Sequence, residues 1–191
     1  IDARDAAVHG WSCIDRNATG GDGPLAGVVL GVKDVIDVAG MPTTHGSPIF
    51  ADNIPDADAE AVARLRAAGA VVLGKSVTAE FATYHPGPTV NPRKPGHTPG
   101  GSSSGSAAVV ADGQADIALG TQTAGSMIRP GSFCGTLALK PSFGRYPLGG
   151  VLDTAPSLDT LGLFGRTLDL LQRADAAITG EDTHPTPRQP L

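Results

Sequence analysis

Short runs of β-branched and aliphatic residues, bounded by glycine, alternate along this chain with stretches of helical period. The longest run, GVVLGVKDVIDVAG at residues 27–40, predicts a strand. Its two-residue period sets Lys33 on the face of Gly31 and Val35, with Asp34 on the opposite face. AVVLG (70–74), ADIALG (115–120) and GTLALKPS (135–142) predict further strands, the last ended by Pro141. DADAEAVARLRAAGA (56–70) predicts a helix. Asp56 or Asp58 can cap its start, Val62, Leu65 and Arg66 follow its spacing, and Gly69 suits the position just past its end. SGSAAVVAD (104–112) predicts a buried helix with a serine from Ser102–Ser104 at its N-terminus. RTLDLLQRADAAITG (166–180) predicts an amphipathic one with Leu168, Leu171 and Ala174 to Ala177 on one side. MPTTHGSPIF, the proline-rich residues 84–101 and TQTAGSMIRPG (121–131) read as loops. Strands alternating with helices predict an α/β fold, a sheet with helices on both faces.

Composition narrows the class. With 40% hydrophobic residues in 191, the chain can bury a core, which excludes a disordered protein. A formal net charge of -5, with no dense Lys/Arg cluster, argues against a general nucleic-acid binder. Cys13 and Cys134 match no zinc or CxxC spacing. They leave open one disulfide or two free thiols, the latter fitting a reducing, cytoplasmic setting. No apolar run approaches the roughly 20 residues that span a bilayer, and no signal peptide is expected. Residues 1–180 are expected to form a single domain and 181–191 a tail. Because the chain begins with Ile1 and not Met, a fragment of a longer protein is expected.

Two motifs are misleading. GAVVLGKS (69–76) fits the phosphate-loop pattern G-x-x-x-x-G-K-[ST]. A predicted helix precedes Gly69, however, and three bulky apolar residues cannot easily curl their amides around a phosphate. Gly69 reads as a helix stop and Lys75 as a strand-end residue. GSSSG (101–105) fits a nucleophile elbow centred on Ser103, yet the preceding PRKPGHTPG cannot be the strand an elbow needs. The required later histidine is limited to His184.

A third constellation joins two serine loops to one lysine. Ser102 lies in GGSSSGSAA, and Ser126 follows 24 residues later in ALGTQTAGSMIRP. FCGTLALKPSFGR and LDTLGLFGRTLDLL come next, and GVKDVIDVAGMPTTHGS precedes them around Lys33. In order and spacing these segments, from about Gly27 to about Leu171, resemble the amidase signature family. The resemblance implies an α/β fold with a mostly mixed central sheet flanked by helices on both faces. It implies hydrolysis of a small-molecule amide, with no metal or organic cofactor and no direct contact with nucleic acid or membrane. Family members are longer, so the resemblance also implies a completing chain or a homo-oligomer, or else an inactive fragment. A glutamine-hydrolysing subunit of a tRNA-dependent amidotransferase is the alternative within the family.

Residue by residue, the resemblance implies Ser126 as the nucleophile, Ser102 as the proton relay and Lys33 as the ultimate base. It implies a cis peptide at Gly101–Ser102 or within the serine pair that follows. Thr123, Ala124 and Gly125 are expected to form the oxyanion loop; an alanine at position 124 is a strain there only if the position needs a positive φ. A lysine with its usual pKa of about 10.4 is protonated at neutral pH and useless as a base. Burial away from any carboxylate brings it into range, and Val32, Val35 and Ile36 around Lys33 supply apolar neighbours. Arg129 is expected either to hold a substrate carboxylate or to satisfy loop carbonyls. Thr121 is expected to add a hydroxyl to the same pocket.

Overall fold

The computed structural model describes residues 1–181. Among them lie strands β1 (Trp11–Ile14), β2 (Val29–Lys33), β3 (Val71–Ser76), β4 (Ile117–Gln122), β5 (Leu137–Leu139) and β6 (Thr160–Gly165). The helices are α1 (Asp2–Val8), α2 (Glu60–Ala67), α3 (Ser104–Ala111), α4 (Ile128–Cys134) and α5 (Leu168–Thr179). The strands form one mixed sheet in the order β1-β3-β2-β4-β6-β5. β2 pairs parallel with both β3 and β4, and the other pairings are antiparallel. The carboxyl ends of β2, β3 and β4 therefore open on the same edge. In open α/β sheets such an edge is where ligands bind.

Alternation along the strands divides the core into two layers. Leu30, Val32, Ile117, Leu119, Leu161 and Leu163 pack with Val62 and Leu65 of α2 and with Leu171, Ala174 and Ile178 of α5. Ala118 and Phe164 face the other way, with Ala107, Val109 and Val110 of α3 and Cys134 of α4. Small residues let α3 lie close against the sheet. A Cβ on Gly105 would stand 2.3 Å from the carbonyl oxygen of Gly10 and 2.4 Å from the amide nitrogen of Val77. Ser106 is fully buried, and its hydroxyl donates to the Leu119 carbonyl (2.9 Å) and pairs with Ser76 Oγ (2.7 Å). The hydroxyl that α3 carries into the core at that position is thus bonded, as burial demands.

Several expected boundaries move. The strand predicted over 27–40 is confined to Val29–Lys33. The amides of Val35 and Ile36 both turn back to the Lys33 carbonyl (2.8 and 2.9 Å), so the chain folds over at Asp34 and sends Val35, Ile36 and Val38 into the core. Neither Asp56 nor Asp58 caps α2, whose N-cap is Ala59. Asp58 instead accepts the Ala39 amide (2.9 Å) and pairs with Arg66 (2.8 Å). The loop expected over 121–131 gives way at Ile128 to α4, where Pro130 sits in the first turn and so removes no helical hydrogen bond. In α5 the buried stripe is Leu171, Ala174 and Ile178, whereas Leu168 is exposed. Gly69 (φ +100) follows α2 and Lys75 lies within β3, which excludes a phosphate loop. The tail beyond Glu181, including His184, lies outside the described residues. No helix among the described residues is long and apolar enough to cross a membrane.

Candidate active site

Lys33 ends β2 on the face of Gly31, and its side chain is fully buried. Its Nζ donates to Ser102 Oγ (2.8 Å) and to Thr121 Oγ1 (2.7 Å), which joins three elements at one atom. Burial pushes the Lys33 ammonium down to about 7, with Asp159 opposing part of that fall. Asp34 is turned away from it and paired with Lys75 Nζ at 3.0 Å. Lys33 thus has hydroxyl partners and no carboxylate in contact.

Ser102 follows a cis Gly101–Ser102 peptide and precedes α3. Its carbonyl accepts the Ala79 amide (3.0 Å), while Arg129 Nε and Nη2 clasp the Gly101 carbonyl at 3.1 and 2.7 Å. Arg129 therefore spends its forked edge on a loop carbonyl. The exposed Arg129 side chain lies beside the Thr123–Ser126 loop: a Cβ added at Gly125 would stand 3.6 Å from its Nη1. Thr121 is likewise engaged, its hydroxyl accepting from the Lys33 amine.

Ser126 is half-buried, and among the described residues its hydroxyl makes no hydrogen bond within the protein. Its carbonyl accepts the Ser103 amide (3.3 Å), the bond that seats the two serine loops side by side. The loop from Thr123 to Ser126 is fixed at both ends. Gln122 Oε1 accepts the amides of Met127 (2.9 Å) and Ile128 (3.1 Å), and the Thr123 hydroxyl donates to Asp159. Between these anchors the amides of Ala124, Gly125 and Ser126 find no acceptor among the described residues. Ala124 and Gly125 do not have the left-handed backbone, so alanine at position 124 carries no strain. Ser103 is fully buried and bonded through its hydroxyl to the Thr121 carbonyl (3.1 Å) and amide (3.3 Å), a cross-link and not an exposed elbow.

Chemically the site has a depressed, buried amine, a serine bonded to it, a second serine open to a ligand, and a turn of unpaired amides. Two residues, Gln122 and Asp159, stand outside the sequence-based expectation. Gln122 sits inside the serine motif, but its bond to the start of α4 spans five and six residues and matches no capping pattern, so it has no local sequence signal. Asp159 carries no local signal either.

The amidase family model matches residues 3–191. A glutamyl-tRNA(Gln) amidotransferase subunit from Salinibacter ruber is 40% identical over 210 aligned positions, covering 100% of this chain and 41% of that protein. The solved structure of the corresponding glutamyl-tRNA(Gln) amidotransferase subunit from Thermotoga maritima superposes with a TM-score of 0.86 at 34% identity, over 93% of this chain and 41% of its own. The native peptide amidase from Stenotrophomonas maltophilia superposes with a TM-score of 0.77 at 38% identity, over 84% of this chain and 35% of its own. The chain thus spans about two fifths of the length of the curated relatives it matches.

Proposed function

The chain belongs to the amidase family, and from that premise we propose that it hydrolyses a carbon–nitrogen amide bond through an acyl-enzyme on Ser126. Neutral Lys33 takes a proton from Ser102, which in turn takes the proton of Ser126 as Oγ attacks the amide carbon. Oxygen charge in the tetrahedral intermediate is met by amides of the Thr123–Ser126 turn. As the C–N bond breaks, Ser102 returns a proton to the leaving ammonia or amine, and water then releases the acid by the same steps reversed. Side chains and backbone amides carry out every step.

The observation that carries this reading is the bond from buried Lys33 to Ser102 at 2.8 Å, made by an amine whose pKa falls to about 7. No direct bond joins the two serine hydroxyls, a gap consistent with catalytic hydrogen bonds that tighten only once substrate is bound. Arg129, with Nη1 still available, holds a substrate carboxylate in this reading. The cytoplasmic setting fits two unbridged cysteines.

The second reading, hydrolysis of glutamine with ammonia passed to a completing partner, rests on the two amidotransferase subunits among the relatives. Dependence of glutaminase activity on added partner distinguishes it from simple amide hydrolysis. For either reading, kcat/KM over a panel of small amides is expected to rise with pH to a plateau, with an acid limb centred near pH 7, where Lys33 loses its proton. A flat profile between pH 5 and 9 (a window about 2 units to either side of Lys33) contradicts a lysine base.

A further inference from the structure

Asp159 stands just ahead of β6, is 6% exposed, and takes no part in the proton transfers above. Its carboxylate is saturated from two sides. Oδ2 accepts the amides of Thr154 (2.8 Å) and Ala155 (2.7 Å), which lock it to its own loop. Oδ1 accepts the hydroxyl of Thr123, the first residue of the turn that leads to Ser126. Among the described residues it forms no ion pair, so its charge is left to act across the site. Three donated hydrogen bonds offset the cost of burying this carboxylate without a paired cation.

Resting on the acyl-enzyme reading, we infer that Asp159 is a positioning residue for the reaction: it anchors the nucleophile turn through Thr123, and its charge stabilises Lys33 in the protonated state that follows attack. The groups around Lys33 make this assignment specific. Thr121 of β4 and Ser102 ahead of α3 touch the amine and are uncharged. Asp34, its own neighbour in sequence, is neutralised by Lys75. Arg129 of α4 is exposed and turned to the Gly101 carbonyl. Thr121 bonds the Lys33 amine and Thr123, two positions further along the same segment, bonds Asp159, which brings the carboxylate to the same end of the site as the amine; there its field opposes the effect of burial on Lys33. A base this deeply buried becomes a cation during the reaction, and a fixed anion at a distance favours that change without pairing with it and locking the proton on.

Two substitutions separate the roles. Asp159→Asn keeps the shape and removes the charge; Thr123→Val removes the hydroxyl anchor and keeps the charge. Lys33 is followed by NMR titration of its labelled Cε, which needs no turnover, and Ser126 by its rate of reaction with a fluorophosphonate. In Asp159→Asn the Lys33 midpoint is expected below the native value, with labelling slowed about tenfold or more. In Thr123→Val labelling is expected to slow while the midpoint stays in place. Should Asp159→Asn fail to fold, judged by circular dichroism, Asp159→Ser, which also removes the charge, takes its place: a lowered midpoint there supports the charge role and an unmoved one overturns it. An unmoved midpoint in folded Asp159→Asn overturns the charge role, and undiminished labelling in Thr123→Val overturns the anchor. If the native chain shows no labelling while the midpoint still follows the charge of residue 159, the acyl-enzyme reading fails and the coupling of Asp159 to Lys33 stands.

Discussion

Lys33→Met is expected to lower amide turnover by about 10²- to 10⁴-fold, the usual worth of a positioned base, and to stabilise the fold below pH 7. Both effects have one cause. Folding moves the Lys33 pKa from 10.5 to about 7, and at about 1.36 kcal/mol per unit the protonated amine costs the fold on the order of 5 kcal/mol. The sign follows from proton uptake. Below pH 7 both folded and unfolded chains hold the proton, and the full penalty applies. Between 7 and 10.5 only the unfolded chain holds it, so the penalty shrinks as pH rises, and it is gone above 10.5. Methionine removes the charge but also the bonds to Ser102 and Thr121, which offset part of the gain at about 1 kcal/mol each. Urea unfolding at several pH values checks this. The stability difference between variant and native chain should narrow from neutral to alkaline pH; a constant difference contradicts a lowered Lys33 pKa.

Lys75→Met is expected to have the opposite effect, a loss of about 3–5 kcal/mol, because it leaves a buried carboxylate unpaired. Lys75 and Asp34 are 0% and 1% exposed and 3.0 Å apart. Lys75 also donates to Thr43 Oγ1 (2.7 Å) and the Pro42 carbonyl (3.2 Å), and Asp34 accepts the hydroxyl (2.6 Å) and amide (3.1 Å) of Thr44. The pair thus holds the loop that leaves Lys33 against the end of β3. Burial drives the Lys75 pKa down and Asp34 opposes it, the pattern of an ion pair kept charged by its partner. Removing both charges, as Asp34→Asn with Lys75→Met, should recover a large part of the lost stability. Thermal unfolding of the two single variants and the double one gives the coupling energy. Additive losses contradict a paired role.

The contrast between these two lysines is partly legible in the sequence. Strand alternation places Lys33 and Asp34 on opposite faces, and the bulky residues before Lys75 tell against a phosphate site. That Asp34 meets Lys75 is not legible, because it depends on the parallel register that sets Lys33 beside Ser76. The serine loops are legible as a site because their glycine and serine residues are contiguous and their geometry depends on local backbone. Asp159 is not, since Thr123 lies 36 positions before it and only the β4–β6 pairing brings them together. α1 and β1 are hidden for a different reason: DARDAAV has little apolar period, and WSCI is a four-residue edge strand. Asp58 misleads as a cap because the Ala39 amide and Arg66 claim its carboxylate first.

Treating the folded chain with a broad serine-hydrolase fluorophosphonate and mapping the modified peptide asks directly whether Ser126 is the nucleophile. An adduct on Ser126 that is lost in Lys33→Met is expected. An adduct on Ser103, or none on Ser126 in a chain shown to be folded, would contradict that assignment.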